Sequence, residues 1–343
     1  MSFYRLFIVI ISVSFSLLFP LSLAYSAGSN TLNNEALEGG GLNPDIWHHS
    51  TTYPSGVNST NSNIQDFTPQ LRQRRFKRAS NDFNAGILQP PHWFKIPIKV
   101  SSDFNAKRHP IVYLEIQDPL LDHIQIYHEL NGEISEFPLT GSALPFSQRA
   151  MSTATFTFPI KVQPEESHVF WLHVKATNSM QLPVVIKSPE KHSKDAGIRA
   201  ISYGMIFGLL AIMSIYNLAL GLMVKDTTYI YFSMMLMAGL FHRLLITGYG
   251  FQYLWFSFPE LNSILRPLID NFLCVVSILF AQTYLQTKTN TPMAHSFLNI
   301  LIWVATAGAL TIFFLPYNNV LSIALWLLLV NFLSLYGVGI EVW

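Results

Sequence analysis

Four ionisable residues sit where the surrounding chain offers them little water: His242, Arg243, Arg266 and Asp270. Their neighbours are apolar, and a charge in such surroundings is costly without a partner. Arg243 and Asp270 fall at similar depth on two helices joined by one loop, so they are expected to pair. One reading of the four is a polar switch inside a helix bundle. The other is a structural ion pair, with the arginines snorkelling to the interface.

A second group lies upstream, in alternating sequence. In "DHIQIYH" the apolar Ile124 and Ile126 share one face, which leaves His123, Gln125 and Tyr127 on the other. In "VFWLHVK" the same rule turns Trp171 and His173 away from Phe170, Leu172 and Val174. Aromatic faces beside hydrogen-bonding groups hold sugar rings or small polar ligands. Gln125, Tyr127 and Trp171 are therefore candidate ligand contacts. The alternative is that these aromatics belong to the core of a two-sheet fold.

Motifs for other chemistry are missing. The sequence holds no H-E-x-x-H, no G-x-S-x-G and no phosphate-binding glycine loop, so no catalytic residue is named. No metal and no cofactor are expected. His48 and His49 are adjacent and point apart on an extended chain, and the offset between His123 and His128 puts them on opposite strand faces. Cys274 is the single cysteine, so no disulfide forms within the chain. The run "RQRRFKR" at Arg72–Arg78 reads as a solvated face, and a net charge of +1 gives no reason to expect nucleic acid.

The elements that position these residues follow from where apolar residues cluster. Half of the 343 residues are hydrophobic and 12% are charged, and the mean hydropathy of +0.32 is that of a membrane protein. Residues 1–26 combine Arg5, an apolar core, Pro20 and the small residues Ala24 and Ser26, the layout of a secretory signal peptide, with a first membrane anchor as the alternative. Residues 27–80 are expected to form a flexible leader and the start of an exported domain, because 28–63 are rich in Asn, Ser, Thr and Gly.

From about residue 81 to 190 the pattern has period two, as in Phe94, Ile96, Ile98 and Val100. Further strands are expected at Ile111–Gln117, His123–His128, Ala154–Val162, Val169–Ala176 and Leu182–Lys187. Asn131-Gly132, Gly141 and Pro164 mark the turns. Short strands with such breaks indicate an all-β, jelly-roll-like sandwich. Residues 199–343 then form an all-α polytopic membrane domain of five spans, the first starting near Ile201 and the last ending near Ile340. Lys225 and Lys288 lie in loops that the positive-inside rule makes cytoplasmic, which leaves "GYGFQYLWFSFPELN" outside. Its Tyr253, Trp255 and Phe256 are read as interfacial anchors, or as part of a lid facing the exported domain.

The order and spacing of "HWFKIPIKV", "DPLLDHIQIYHELNG", "LTGSALPFSQRAM", "FTFPIKVQPEES", "YGMIFGLLAIMSIYNLALGL" and "GYGFQYLW" resemble one family. It is the bacterial seven-transmembrane receptors with diverse intracellular signalling modules, in the branch with the second type of extracellular domain. The resemblance implies a periplasmic jelly roll that takes a carbohydrate or other small ligand, and seven spans in the inner membrane. It also implies a cytoplasmic diguanylate cyclase, histidine kinase or related output. It makes Gln148 and Arg149, in "GSALPFSQR", candidates for ligand or domain contact. Five spans and no output module are read here, so the expectation is a break within the membrane region, with the enzyme of the full-length protein beyond Trp343. The expected partners are the ligand, the lipid bilayer, that output module and a second copy in a homo-oligomer. A transporter or channel with an exported accessory domain is the alternative, although the charges lie at the outer edge rather than the midplane of the spans.

Overall fold

The computed structural model describes residues 31–39, 41–50, 76–79, 91–177 and 180–342. The expected signal peptide, residues 51–75 of the leader and Arg72–Arg75 of the basic run lie outside the described residues. The chain forms two compact units. One holds residues 31–198 together with Phe251–Pro259, and the other holds Arg199–Gly250 and the chain from Glu260 onward.

Alternation sets the first unit. β4 (His92–Val100) turns Phe94, Ile96, Ile98 and Val100 inward, while β6 (His123–Leu130) contributes Ile124 and Ile126 and β9 (Ser167–Lys175) contributes Phe170, Leu172 and Val174. These three lie side by side, with β9 between β4 and β6. The sheet is extended by β7 (Glu133–Glu136) beside β6, and by β2 (Ile46–Ser50) and β3 (Lys77–Ala79) beyond β4. The short β1 (Thr31–Leu32) pairs with β4 in parallel; every other pairing among the described strands is antiparallel.

A three-stranded sheet closes the sandwich, with β5 (Ile111–Ile116) between β10 (Val184–Lys187) and β8 (Phe156–Lys161). Its inward residues include Val112, Leu114, Phe156, Phe158 and Ile186, which join the same core. Two glycines are fixed by geometry. Asn131 and Gly132 both have positive φ, 53° and 89°, the backbone that a two-residue hairpin between β6 and β7 demands. At Gly141 a Cβ atom would stand 1.8 Å from the carbonyl oxygen of Asp122, so no side chain fits.

The leader expectation is corrected for residues 31–50. Leu32, Leu37, Leu42 and Ile46 are buried in the sandwich core, and α1 (Asn34–Gly39) and β2 are built into the fold. Polar composition concealed this, because four widely spaced apolar anchors suffice when sheet neighbours supply the rest of the burial.

The second unit is helical. Among the described residues five helices are long and apolar enough to cross a membrane: α2 (Pro189–Val224), α3 (Thr227–Ile246), α5 (Glu260–Tyr284), α7 (Pro292–Leu310) and α8 (Tyr317–Glu341). The first turns of α2 belong to the β-rich unit. Asp226 caps α3, its carboxylate accepting from the amide of Thr228 at 2.8 Å. Pro292 opens α7, where its missing N–H leaves no helical bond unmade. Two short helices, α4 (Tyr249–Tyr253) and α6 (Thr287–Asn290), occupy connections.

Candidate functional site

The larger sheet has a second aromatic layer on the face turned from the core. Antiparallel register puts Trp93 opposite His173, Lys95 opposite Trp171, Tyr127 opposite Trp171 and Gln125 opposite His173. The sequence-derived candidates Gln125, Tyr127 and Trp171 are thus brought together. The ring of Trp93 stacks with Tyr127 at 6.1 Å and lies 4.8 Å from His173.

Trp171 is only 2% exposed. Phe76 lies edge-on to it at 5.7 Å, Lys95 Nζ stands 5.0 Å from its centroid, and its indole N–H donates to Glu129 at 2.9 Å. Gln125 donates to the carbonyl of Phe137 at 2.7 Å. Trp171 therefore presents no open face, and of the three candidates Tyr127, half-buried, is the one that reaches the surface. Alternation did not single out Trp93, Lys95 and Glu129 as parts of this layer; cross-strand register was the missing information.

Burial lowers the pKa of histidines on β6 and β9. Burial pushes the pKa of His173 down to about 4, helped by His123 and Lys175. His128 is likewise pushed to about 4 by burial and by His168, whose Nδ1 lies 2.9 Å from its Nε2. Burial is also the main cause that lowers His168, although Glu166, 3.2 Å away, acts against it. Among the described residues no group of three or more His, Cys, Asp or Glu side chains is arranged to hold a metal.

Gln148 and Arg149, the candidates named through the resemblance, end the 3₁₀ turn Phe146–Gln148 and differ in fate. Gln148 is exposed and Arg149 is buried. The guanidinium donates through Nη1 to the carbonyls of Thr153, 2.8 Å, and Ala154, 2.6 Å. Its carbon lies 4.6, 4.3 and 5.5 Å from the ring centroids of Phe146, Phe156 and Phe251. Burial pushes its pKa down to about 9, which leaves it charged at neutral pH.

Phe251 belongs to the chain between α3 and α5, yet Phe251–Pro259 packs as part of the β-rich unit. Phe251 meets Phe146 edge to face at 5.4 Å, the amide of Phe146 donates to the carbonyl of Phe256, and Gln252 donates to the carbonyl of Ser152 at 3.0 Å. Trp255 is buried with Phe251, which corrects its reading as an interfacial anchor, whereas Tyr253 and Phe256 are exposed. Aromatic composition alone suits a headgroup anchor and a packed loop equally.

In the helical unit the expected pairing changes. Asp270 accepts from Nδ1 of His242, not Arg243, at 2.6 Å. Arg243 is the next residue round α3 from His242, about 100° away, and the imidazole is the group turned to α5. Arg243 is buried and Arg266 half-buried. The polar seam continues where Asn331 of α8 donates to Ser277 of α5 at 2.8 Å. Sequence reasoning missed this second link because lone Asn and Ser residues in apolar helices carry no distinctive spacing.

Also missed was a buried cluster joining β5, β10 and the start of α2. Lys187 Nζ lies 3.1 Å from Glu115 and 2.9 Å from Asp195, and His192 Nδ1 lies 3.3 Å from Glu115. Glu115 falls on the outward set of "IVYLEI", so a second layer over that face was its only available signal.

Two family models match, end to end. One, described as 7TMR-DISM extracellular 2, matches residues 58–188, and the other, described as 7TM diverse intracellular signalling, matches residues 199–343. No curated protein matches the chain. The first match covers the sandwich strands from β3 to β10 and the second covers all five apolar helices beyond residue 198. The chain is a multi-pass membrane protein with an extracellular N-terminal β-sandwich, and it belongs to the receptor-like seven-transmembrane signalling proteins of the 7TMR-DISM family.

Proposed function

We propose that this protein is a receptor of the bacterial inner membrane whose sandwich senses a small polar ligand, with sugars the first class to test. Its helices pass the change to an intracellular signalling module. The observation that carries this reading is the inclusion of Phe251–Pro259 in the β-rich unit, with Phe251 against Arg149. A ligand that alters the sandwich acts on a segment that follows α3 by four residues and runs directly into α5. It shifts the helices only by as much as it binds one arrangement better than the other.

Of Gln125, Tyr127 and Trp171, Tyr127 reaches the surface, its ring stacked on Trp93, and an aromatic ring beside hydrogen-bonding groups is what a sugar ring needs.

The test uses the full chain in lipid nanodiscs, titrated with neutral and acidic monosaccharides and disaccharides. Saturable binding with changed hydrogen exchange at 251–259 supports the receptor. Flux of the same solute through vesicles containing the protein, with no change at that segment, would identify a transporter instead.

A further inference from the structure

Arg149 is satisfied along one edge only. Nη1 makes both of its hydrogen bonds, to Thr153 and Ala154. Nε and Nη2 are buried without a hydrogen-bond partner, in a residue that is 8% exposed. These two nitrogens form the side of the guanidinium whose parallel N–H groups match the two oxygens of a carboxylate. The rings of Phe146, Phe156 and Phe251 offset part of the cost of burying the cation, but a ring face supplies no acceptor for in-plane N–H groups. A desolvated charge with an idle donor pair is poised for an anion.

We propose that the Nε–Nη2 edge of Arg149 is a binding site for a carboxylate-bearing ligand, reached when the shell that includes Phe251 loosens. The planar two-donor edge, the single positive charge and the aromatic walls favour a monovalent carboxylate over a tetrahedral, multiply charged anion. The site deepens the receptor reading and rests on it: a ligand here acts on the packing that holds Phe251–Pro259.

The test uses the full chain in nanodiscs, with formate replacing chloride at constant ionic strength and neutral pH. Formate at several times its Kd is expected to raise the melting temperature of the sandwich by about 2–4 °C. Arg149→Lys keeps the charge and loses the fork, so the rise should vanish. In Phe251→Ala, which opens the shell, formate should bind severalfold more tightly. No formate-specific rise in the wild type, an equal rise in Arg149→Lys, or unchanged affinity in Phe251→Ala overturns the proposal. Hydrogen exchange separates the two readings. Faster exchange at 251–259 in formate supports both, whereas a formate-specific rise with unchanged exchange supports the anion site and refutes the relay through this segment. Acetylated neutral sugar and galacturonate, compared in the same assay, distinguish an acidic sugar from a simple acid: a neutral sugar that competes with formate as well as galacturonate does would refute the carboxylate assignment.

Discussion

The two units turn opposite things outward. In the sandwich the layer between the sheets is mostly apolar, with His92, His128 and His168 sharing the strand faces of Phe94, Ile126 and Phe170, and other polar groups line the outer faces. In the helical unit Asp270, Asn271, Ser277 and Asn331 are buried, while Met205, Ile212, Trp303 and Trp326 stand 67–74% exposed. The contrast reflects the solvent each unit meets. Water drives apolar groups inward, whereas lipid has no such preference, and the interior of a bundle becomes the one place where polar groups find partners.

The largest test of that contrast is core truncation. Phe158 is buried and meets Phe137 edge to face at 5.4 Å. Phe158→Ala is expected to destabilise the sandwich by about 3–5 kcal/mol, combining lost transfer energy with a cavity. Denaturant unfolding followed by near-UV circular dichroism checks it. Ile212→Ala in the exposed face of α2 should leave the unfolding of the helical unit almost unchanged.

Inside the bundle the expected loss depends on which partner is removed. His242→Leu strands a buried carboxylate and should cost about 3–5 kcal/mol. Asp270→Leu strands a buried imidazole and should cost about 1–3 kcal/mol. The double variant should recover most of the loss, because a buried pair replaced by apolar groups is often neutral. Unfolding in mixed micelles measures all three, and additive losses would show that the two side chains are not coupled.

These pairs mark how far the sequence could be read. The strand faces of Ile124, Ile126 and Phe94 followed from alternation, and the helices from apolar run length, since both patterns repeat within a single element. What did not follow was contact between elements. Nothing local distinguishes His242 from Arg243 as the partner of Asp270, because one residue's rotation about α3 decides it. The burial of Glu115, Trp171 and Trp255 likewise depends on layers contributed by chain far away in sequence. Arg149 was found through the resemblance, but its ring box needed Phe251, about a hundred positions on.

Acidification should act on the sandwich with a defined sign. The folded-state pKa values of His128 and His173 lie near 4, below the unfolded value near 6.5. The unfolded chain therefore binds more protons between these limits, and stability falls as pH drops from about 6.5 to about 4. Chemical denaturation across that range checks it. His173→Phe should flatten part of the slope without changing stability at neutral pH by much, and a slope that persists in full would assign the effect elsewhere.

The smallest effect separates the units most finely. Ser214 of α2 and Ser233 of α3 exchange two hydrogen bonds, each hydroxyl donating to the other residue's carbonyl, at 2.9 and 2.7 Å. In a protein interior that water can reach on unfolding, such a pair stabilises only by the difference from its hydrated state. In lipid the separated helices still satisfy each hydroxyl within their own turn, because a serine can return to the carbonyl three or four residues back. Ser214→Ala is accordingly expected to cost about 0.6 kcal/mol, the average for interhelical bonds in membranes. Ser233→Ala should match it, and the double variant should cost little more than either single one, since both act on a shared contact. A loss of several kcal/mol would mean that the helices of this unit depend on polar links far more than close packing of their small residues implies.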